Sequence, residues 1–132
     1  MTGFLDTYAL IQIAGGRPVF KALAADAVTG HANLLEFHYH VSRRQNERVA
    51  SQFLSRYWSL AVPATREDVA DASHLRLRES SRRLSFIDAL GYAMARNRRL
   101  TFVTGDPGFN GMPDVEMPDA VLRRSPPRRR DR

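Results

Sequence analysis

Short apolar runs that each stop at a carboxylate constrain this chain most. Residues 2–5 form one such run, ending at Asp6, and residues 100–104 form another, closed by Gly105-Asp106. Neither alternates apolar with polar side chains, so each suits a strand covered on both faces, as in parallel sheets. Helical patterns lie between them: residues 7–13, a second helix opened by Arg17-Pro18 and running through Ala25, then 33–44, 47–58, 65–80 and 85–97. Short runs at 27–30, 59–63 and 115–117 complete the strands. Strands alternating with helices predict an α/β fold of three layers, α/β/α, around a central, mostly parallel sheet.

In such sheets ligands bind beyond the carboxyl ends of the strands. Asp6 and Asp106 follow strands, Asp88 falls in the first turn of the helix before the 100–104 strand, and Glu36 lies near the start of the helix after 27–30. All four therefore converge on one edge in this order of segments. Acids in apolar surroundings cost free energy unless paired, hydrogen-bonded or bound to a cation. A hard divalent ion such as Mg²⁺ or Mn²⁺ is the natural remedy, because it takes oxygen ligands.

Each acid also has a plainer use. Asp6 suits a helix cap, and Ser85 with Asp88 has the spacing of a capping box, as has Thr65 with Asp68. Glu36 fits an exposed helical stripe with Asn33 and His40, opposite a buried side drawn from Leu34, Leu35, Phe37, His38 and Val41. Asp106 fits a turn in Gly105-Asp106-Pro107-Gly108. Their conjunction in one α/β frame favours a site. The histidines offer none: His38 and His40 point to different sides of one helix, and His31 and His74 lack partners at ligand spacing.

Charge and composition narrow the function. The net charge is +6, but residues 123–132 hold six arginines and one aspartate, which leaves +1 for the other 122 residues. That tail has no apolar residue except proline and is predicted to be disordered, so the folded domain spans 1–122. Its arginines suit RNA phosphates or a solvated tail equally. The absence of cysteine excludes disulfides, zinc–thiolate sites and a thiol nucleophile. No apolar run reaches the roughly 20 residues that span a bilayer, and a cytoplasmic location is expected.

The chain resembles a PIN-domain ribonuclease, specifically the VapC-type toxin of a VapBC toxin–antitoxin pair. The matching pieces are Phe4-Leu5-Asp6-Thr7-Tyr8-Ala9-Leu10-Ile11, Asn33-Leu34-Leu35-Glu36, Leu84-Ser85-Phe86-Ile87-Asp88-Ala89-Leu90 and Thr104-Gly105-Asp106-Pro107-Gly108-Phe109, spaced over residues 2–118. The resemblance implies an endoribonuclease dependent on Mg²⁺ or Mn²⁺, a cognate VapB-type antitoxin and a homodimer. It implies Asp6, Glu36, Asp88 and Asp106 as metal-site acids, with Thr7, Asn33, Ser85 and Thr104 supporting them. Many relatives carry a further acid or a lysine where this chain has Pro107-Gly108. A PIN fold that binds RNA or protein without cleaving is the main alternative. A phosphate-receiver domain fits less well, since the only lysine is Lys21, and a haloacid-dehalogenase-like phosphatase would need an acid where Tyr8 stands. The expected chemistry is two-metal-type phosphodiester hydrolysis. An antitoxin helix would need an apolar groove, for which Ile11, Phe20, Leu23, Phe53 and Tyr57 are candidates.

Overall fold

A computed structural model describes residues 3–119. Strand β1 (Gly3–Leu5) leads to helices α1 (Thr7–Ala14) and α2 (Pro18–Lys21), strand β2 (Thr29–Gly30), helices α3 (His31–Arg44) and α4 (Glu47–Tyr57), and strand β3 (Ala61–Val62). Helices α5 (Arg66–Arg78) and α6 (Phe86–Asn97), then strands β4 (Thr101–Val103) and β5 (Val115–Glu116), complete the described chain. Every strand pairing is parallel: β1 with β4, β4 with β5, and β2 with β3. A parallel bridge between Phe4 and Val28 joins the two ladders. The resulting spatial order is β3-β2-β1-β4-β5.

Two hydrophobic clusters flank this sheet, because side chains alternate across a strand. Phe4 and Phe102 point to one face, where they meet Leu75, Tyr92, Met94 and Phe109 from the α5–α6 side. Leu5 and Val103 point to the other, against Leu10, Phe20, Leu34 and Phe37 from the α1–α4 side. That division is the three-layer architecture expected from the apolar strands. Gly91 lets α6 approach closely: a Cβ there would lie 3.1 Å from the ring of Phe4 and 3.2 Å from that of Phe102.

Local chemistry sets the helix starts. Thr65 and Asp68 form a reciprocal capping box before α5, and Ser85 and Asp88 form one before α6. Both follow the sequence pattern. The departures are informative. Helix α2 stops at Lys21, where the sequence predicts continuation through Ala25. The backbone instead tightens into short turns, Leu23 N–H to the Phe20 carbonyl (3.0 Å) and Ala24 N–H to that of Lys21 (3.1 Å), and then pairs Val28 with Gly3. In α3 the expected burial is rotated: Leu35 is 68% exposed, while Asn33 is buried with Leu34, Phe37 and Val41. Of the proposed groove residues, Phe20 is fully buried, so it presents no surface. Ile11 and Phe53 line a cleft of about 460 Å³ beside α1, together with Tyr8, His40 and Val41. The predicted boundary at 122 and the arginine-rich tail lie outside the described residues.

Candidate active site

The carboxyl edge of β1 and β4 gathers the acids. Backbone pairing continues one residue past β1, where Asp6 N–H donates to the Val103 carbonyl (3.1 Å). Asp6 then caps α1, its Oδ1 accepting the Ala9 N–H at 2.8 Å. The carboxylate is nearly sealed from solvent, at 3% exposure. Thr104, fully buried at the end of β4, hydrogen-bonds to it through its hydroxyl. The same hydroxyl oxygen accepts the Asp106 N–H at 3.0 Å. Thr104 therefore holds Asp6 and the Asp106 backbone in one arrangement. Asp106 caps a short 3₁₀ turn by accepting the Gly108 N–H at 2.9 Å.

Asp88 arrives from α6. Its N–H donates to Ser85 Oγ (3.0 Å), and its Oδ2 accepts the Ser85 N–H (3.3 Å). The Asp106 carboxylate stands near enough to repel it. Glu36 reaches the edge from α3, where Thr7 donates its hydroxyl to Oε1 at 2.6 Å. Asn33 Nδ2 in turn donates to Thr7 Oγ1 at 3.2 Å. That bond explains why a polar residue occupies the buried side of α3: its amide is satisfied next to the acids.

Electrostatics mark these positions as strained by charge. Burial pushes the Asp6 carboxyl up from 3.8 to about 7; the Thr104 hydroxyl and Ala9 N–H oppose the rise, and the charges of Asp88 and Asp106 add to it. Burial also raises Asp88, to about 6, against the Ser85 bonds and with the added repulsion of Asp106. Among the described residues no ion pair reaches Asp6, Glu36, Asp88 or Asp106. The structure thus brings Asp6, Asp88 and Asp106 within mutual electrostatic influence, and Glu36 is held by Thr7, the residue after Asp6.

Whether these residues suit a divalent ion turns on two observations that pull apart. The donors are all oxygens, buried or half-buried, and lack basic partners, which is the chemistry a hard cation selects. Yet among the described residues no group of three or more His, Asp or Glu side chains closes into a ready metal cage. The reason is visible in the bonds: Glu36 turns to Thr7, Asp6 to Thr104 and Ala9, Asp88 to Ser85, and Asp106 to Gly108. Each acid is occupied by a local donor. The donor set fits a hard cation in its chemistry, all oxygens with no ion-pair partner among the described residues, while the side chains as they stand do not form a closed cage.

Two supports were not legible in the sequence. Tyr8 packs its ring on Gly105, where a Cβ would lie 2.3 Å from Tyr8 Cε1, so only glycine fits between Thr104 and Asp106. The Tyr8 hydroxyl donates to Asp119, which also accepts from Arg17 Nη2 (2.6 Å) and Nη1 (3.2 Å). On the other side of Asp106, Arg82 Nη1 donates to the Gly108 carbonyl (2.9 Å) and the Asn110 carbonyl (2.7 Å). Residues 102 positions apart, like Arg17 and Asp119, leave no local pattern to find.

Comparison with known proteins places the fold. The profile of the PIN domain matches residues 3–115. No curated protein matches the chain significantly. Among solved structures, VapC20 of Mycobacterium tuberculosis, a sarcin–ricin-loop-cleaving toxin, superposes with a TM-score of 0.73 at 20% identity, over 89% of this chain and 98% of that one. A toxin–antitoxin complex from Klebsiella pneumoniae gives 0.69 at 24% identity, over 88% and 97%. A VapBC-family member from Mycobacterium tuberculosis, VapBC-5, gives 0.61 at 26% identity, over 87% and 95%.

Proposed function

The chain belongs to the PIN-domain family, and from that premise we propose that it is a divalent-metal-dependent endoribonuclease serving as the toxin of a toxin–antitoxin pair. The observation that carries the reading is the trio Asp6, Asp88 and Asp106, buried or half-buried at the carboxyl edge of a parallel sheet with no basic partner among the described residues. Toxin–antitoxin proteins among the similar structures support the partner. Asp6, Glu36, Asp88 and Asp106 would hold Mg²⁺ or Mn²⁺. Such an ion, when bound, supplies a water of lowered pKa and positive charge opposite the phosphate.

The chain's own residues would orient the substrate edge. Thr104 fixes Asp6 relative to Asp106, Ser85 sets where Asp88 enters, and Thr7 with Asn33 aims Glu36. An antitoxin would lay an apolar segment in the cleft bordered by Ile11 and Phe53 and offer a basic residue to the acids. A homodimer and a cytoplasmic location belong to the same reading; no helix among the described residues is long and apolar enough to cross a membrane.

The test is cleavage of single-stranded RNA by purified protein, with EDTA and then with excess Mg²⁺ or Mn²⁺. Activity that EDTA abolishes and metal restores is expected; cleavage indifferent to EDTA overturns the metal mechanism. The unclosed arrangement of the acids favours one second reading, a PIN fold that binds RNA or protein without cutting. RNA binding with no cleavage under any divalent metal would establish it instead.

A further inference from the structure

A second surface adjoins the acids. Phe86, the first residue of α6, is 73% exposed and stands two residues from Asp88; Leu77 is 75% exposed. Both line a cleft of about 290 Å³ with Arg76, Arg83 and Leu84. Large apolar side chains exposed singly need no explanation. Here one aromatic ring is organised. The Arg76 guanidinium lies 4.0 Å over its centroid, and Arg76 Nε is pinned by the Leu84 carbonyl at 2.8 Å. One face of the ring is thus backed by a fixed cation and the other is open.

The charges of the cleft are unbalanced. Its acid, Glu79, is engaged by Arg82 at 2.8 Å, while among the described residues no ion pair engages Arg76 or Arg83. The cleft lies close to the carboxylate edge. A Cβ on Gly108 would lie 3.1 Å from Leu84 Cδ2 and 3.2 Å from Asp106 Oδ1, so one residue's width separates the Leu84 wall from that acid.

We propose that the open face of Phe86 is a stacking platform for one base of a single-stranded RNA whose neighbouring phosphate lies at the carboxylates. This deepens the ribonuclease reading and rests on it. Aromatic rings bind bases of any sequence through their π-faces. A guanidinium over the far face is attracted to the ring and adds positive charge. Arg76 and Arg83 then meet the phosphates on either side of the stacked base. Two unpaired cations beside an apolar ring suit a polyanion that carries aromatic bases. An apolar protein helix would leave both charges uncompensated.

The test is fluorescence anisotropy with the full-length protein in EDTA, so that binding is read without cleavage. The probes are a labelled oligouridylate and an abasic chain of the same length. Stacking is worth about 1–3 kcal/mol per base, so Phe86→Ala is expected to weaken oligouridylate binding about 5- to 150-fold. Abasic binding should hold, and Phe86→Trp should bind oligouridylate at least as tightly as the parent. Equal affinity for Phe86→Ala and parent overturns the platform, as does equal loss on both probes. So does loss confined to capture of a protein antitoxin, or failure of the parent to bind either probe. A parent that binds as expected yet never cleaves with metal leaves the platform standing and removes the ribonuclease reading. Cleavage with a silent Phe86→Ala does the reverse.

Discussion

Asp6→Asn should stabilise the metal-free protein at pH 8 and remove its response to divalent ions. The Asp6 carboxyl is held at about 7 instead of 3.8, chiefly by burial. Below 3.8 the folded and unfolded chains both keep the proton, and the stability of the protonated form is fully present. As pH rises from about 4 to about 7 the unfolded chain loses its proton first, so stability falls. Above about 7 the full cost of the buried charge is felt, about 4 kcal/mol at 1.36 kcal/mol for each tenfold change. Asparagine keeps the size and the capping oxygen for Ala9 but carries no charge. Its amide hydrogens still need acceptors, so a gain on the order of 2–4 kcal/mol is expected at pH 8, near zero at pH 4. In a domain of this length that raises the melting midpoint by roughly 10 °C. Mg²⁺ binds the ionised acids, so it should stabilise the parent more at pH 8 than at pH 5. It should leave the variant's midpoint largely unmoved. Differential scanning calorimetry across pH 4–8, with EDTA or Mg²⁺, reads all of this. A variant equally destabilised at both pH values would show that the charge on Asp6 carries no cost in the folded state, and the reasoning from burial would be wrong.

Asp88→Asn should abolish RNA cleavage while lowering stability by no more than about 1 kcal/mol, since the amide retains the bond from Ser85; full cleavage with a large fall in melting midpoint would remove Asp88 from the site. Gly105→Ala forces a methyl into the Tyr8 ring and should cost about 1–3 kcal/mol. Combining it with Tyr8→Ala should cost less than the two changes added, read as coupling in a double-mutant cycle. Truncation after Leu122 keeps Asp119 and its bonds to Tyr8 and Arg17. The shortened protein should therefore melt as the parent does and lose RNA affinity mainly at low salt, measured by calorimetry and by binding titrations at two ionic strengths.

Much of the fold could be read because its signals are local. A capping box needs two residues three apart, so the starts of α5 and α6 were written in Thr65 and Asp68, and in Ser85 and Asp88. Apolar runs without alternation gave β1 and β4, and with them the parallel sheet and its two covered faces. What stayed hidden depends on distant partners. Asn33 reads as a surface residue until Thr7, 26 positions away, supplies its hydrogen bond. Leu35 reads as core until the burial of Asn33 turns it outward. The length of α2 is decided by Val28, which must pair with Gly3 and so draws the chain out of the helix. The four acids, their repulsion once gathered and Thr104 as a support could be named from the sequence, but which donor each acid takes is a property of the folded edge alone.

Three of these acids share a further property that links fold to chemistry. Asp6 caps α1, Asp88 completes the capping box of α6, and Asp106 caps the 3₁₀ turn at Pro107–Phe109. Each accepts a backbone N–H at the start of a helical turn, where the partial positive charge of the peptide dipoles favours an anion. For Asp6 and Asp88 that help is outweighed, since burial and neighbouring acids still raise both carboxyls. A chain selected for helix starts alone would relieve the repulsion with asparagine or serine, which cap about as well. Retaining charge at Asp6 and Asp88 therefore costs stability that capping does not need. The excess is explained if the edge receives a cation: the caps fix where each oxygen stands, and the charge serves the ligand.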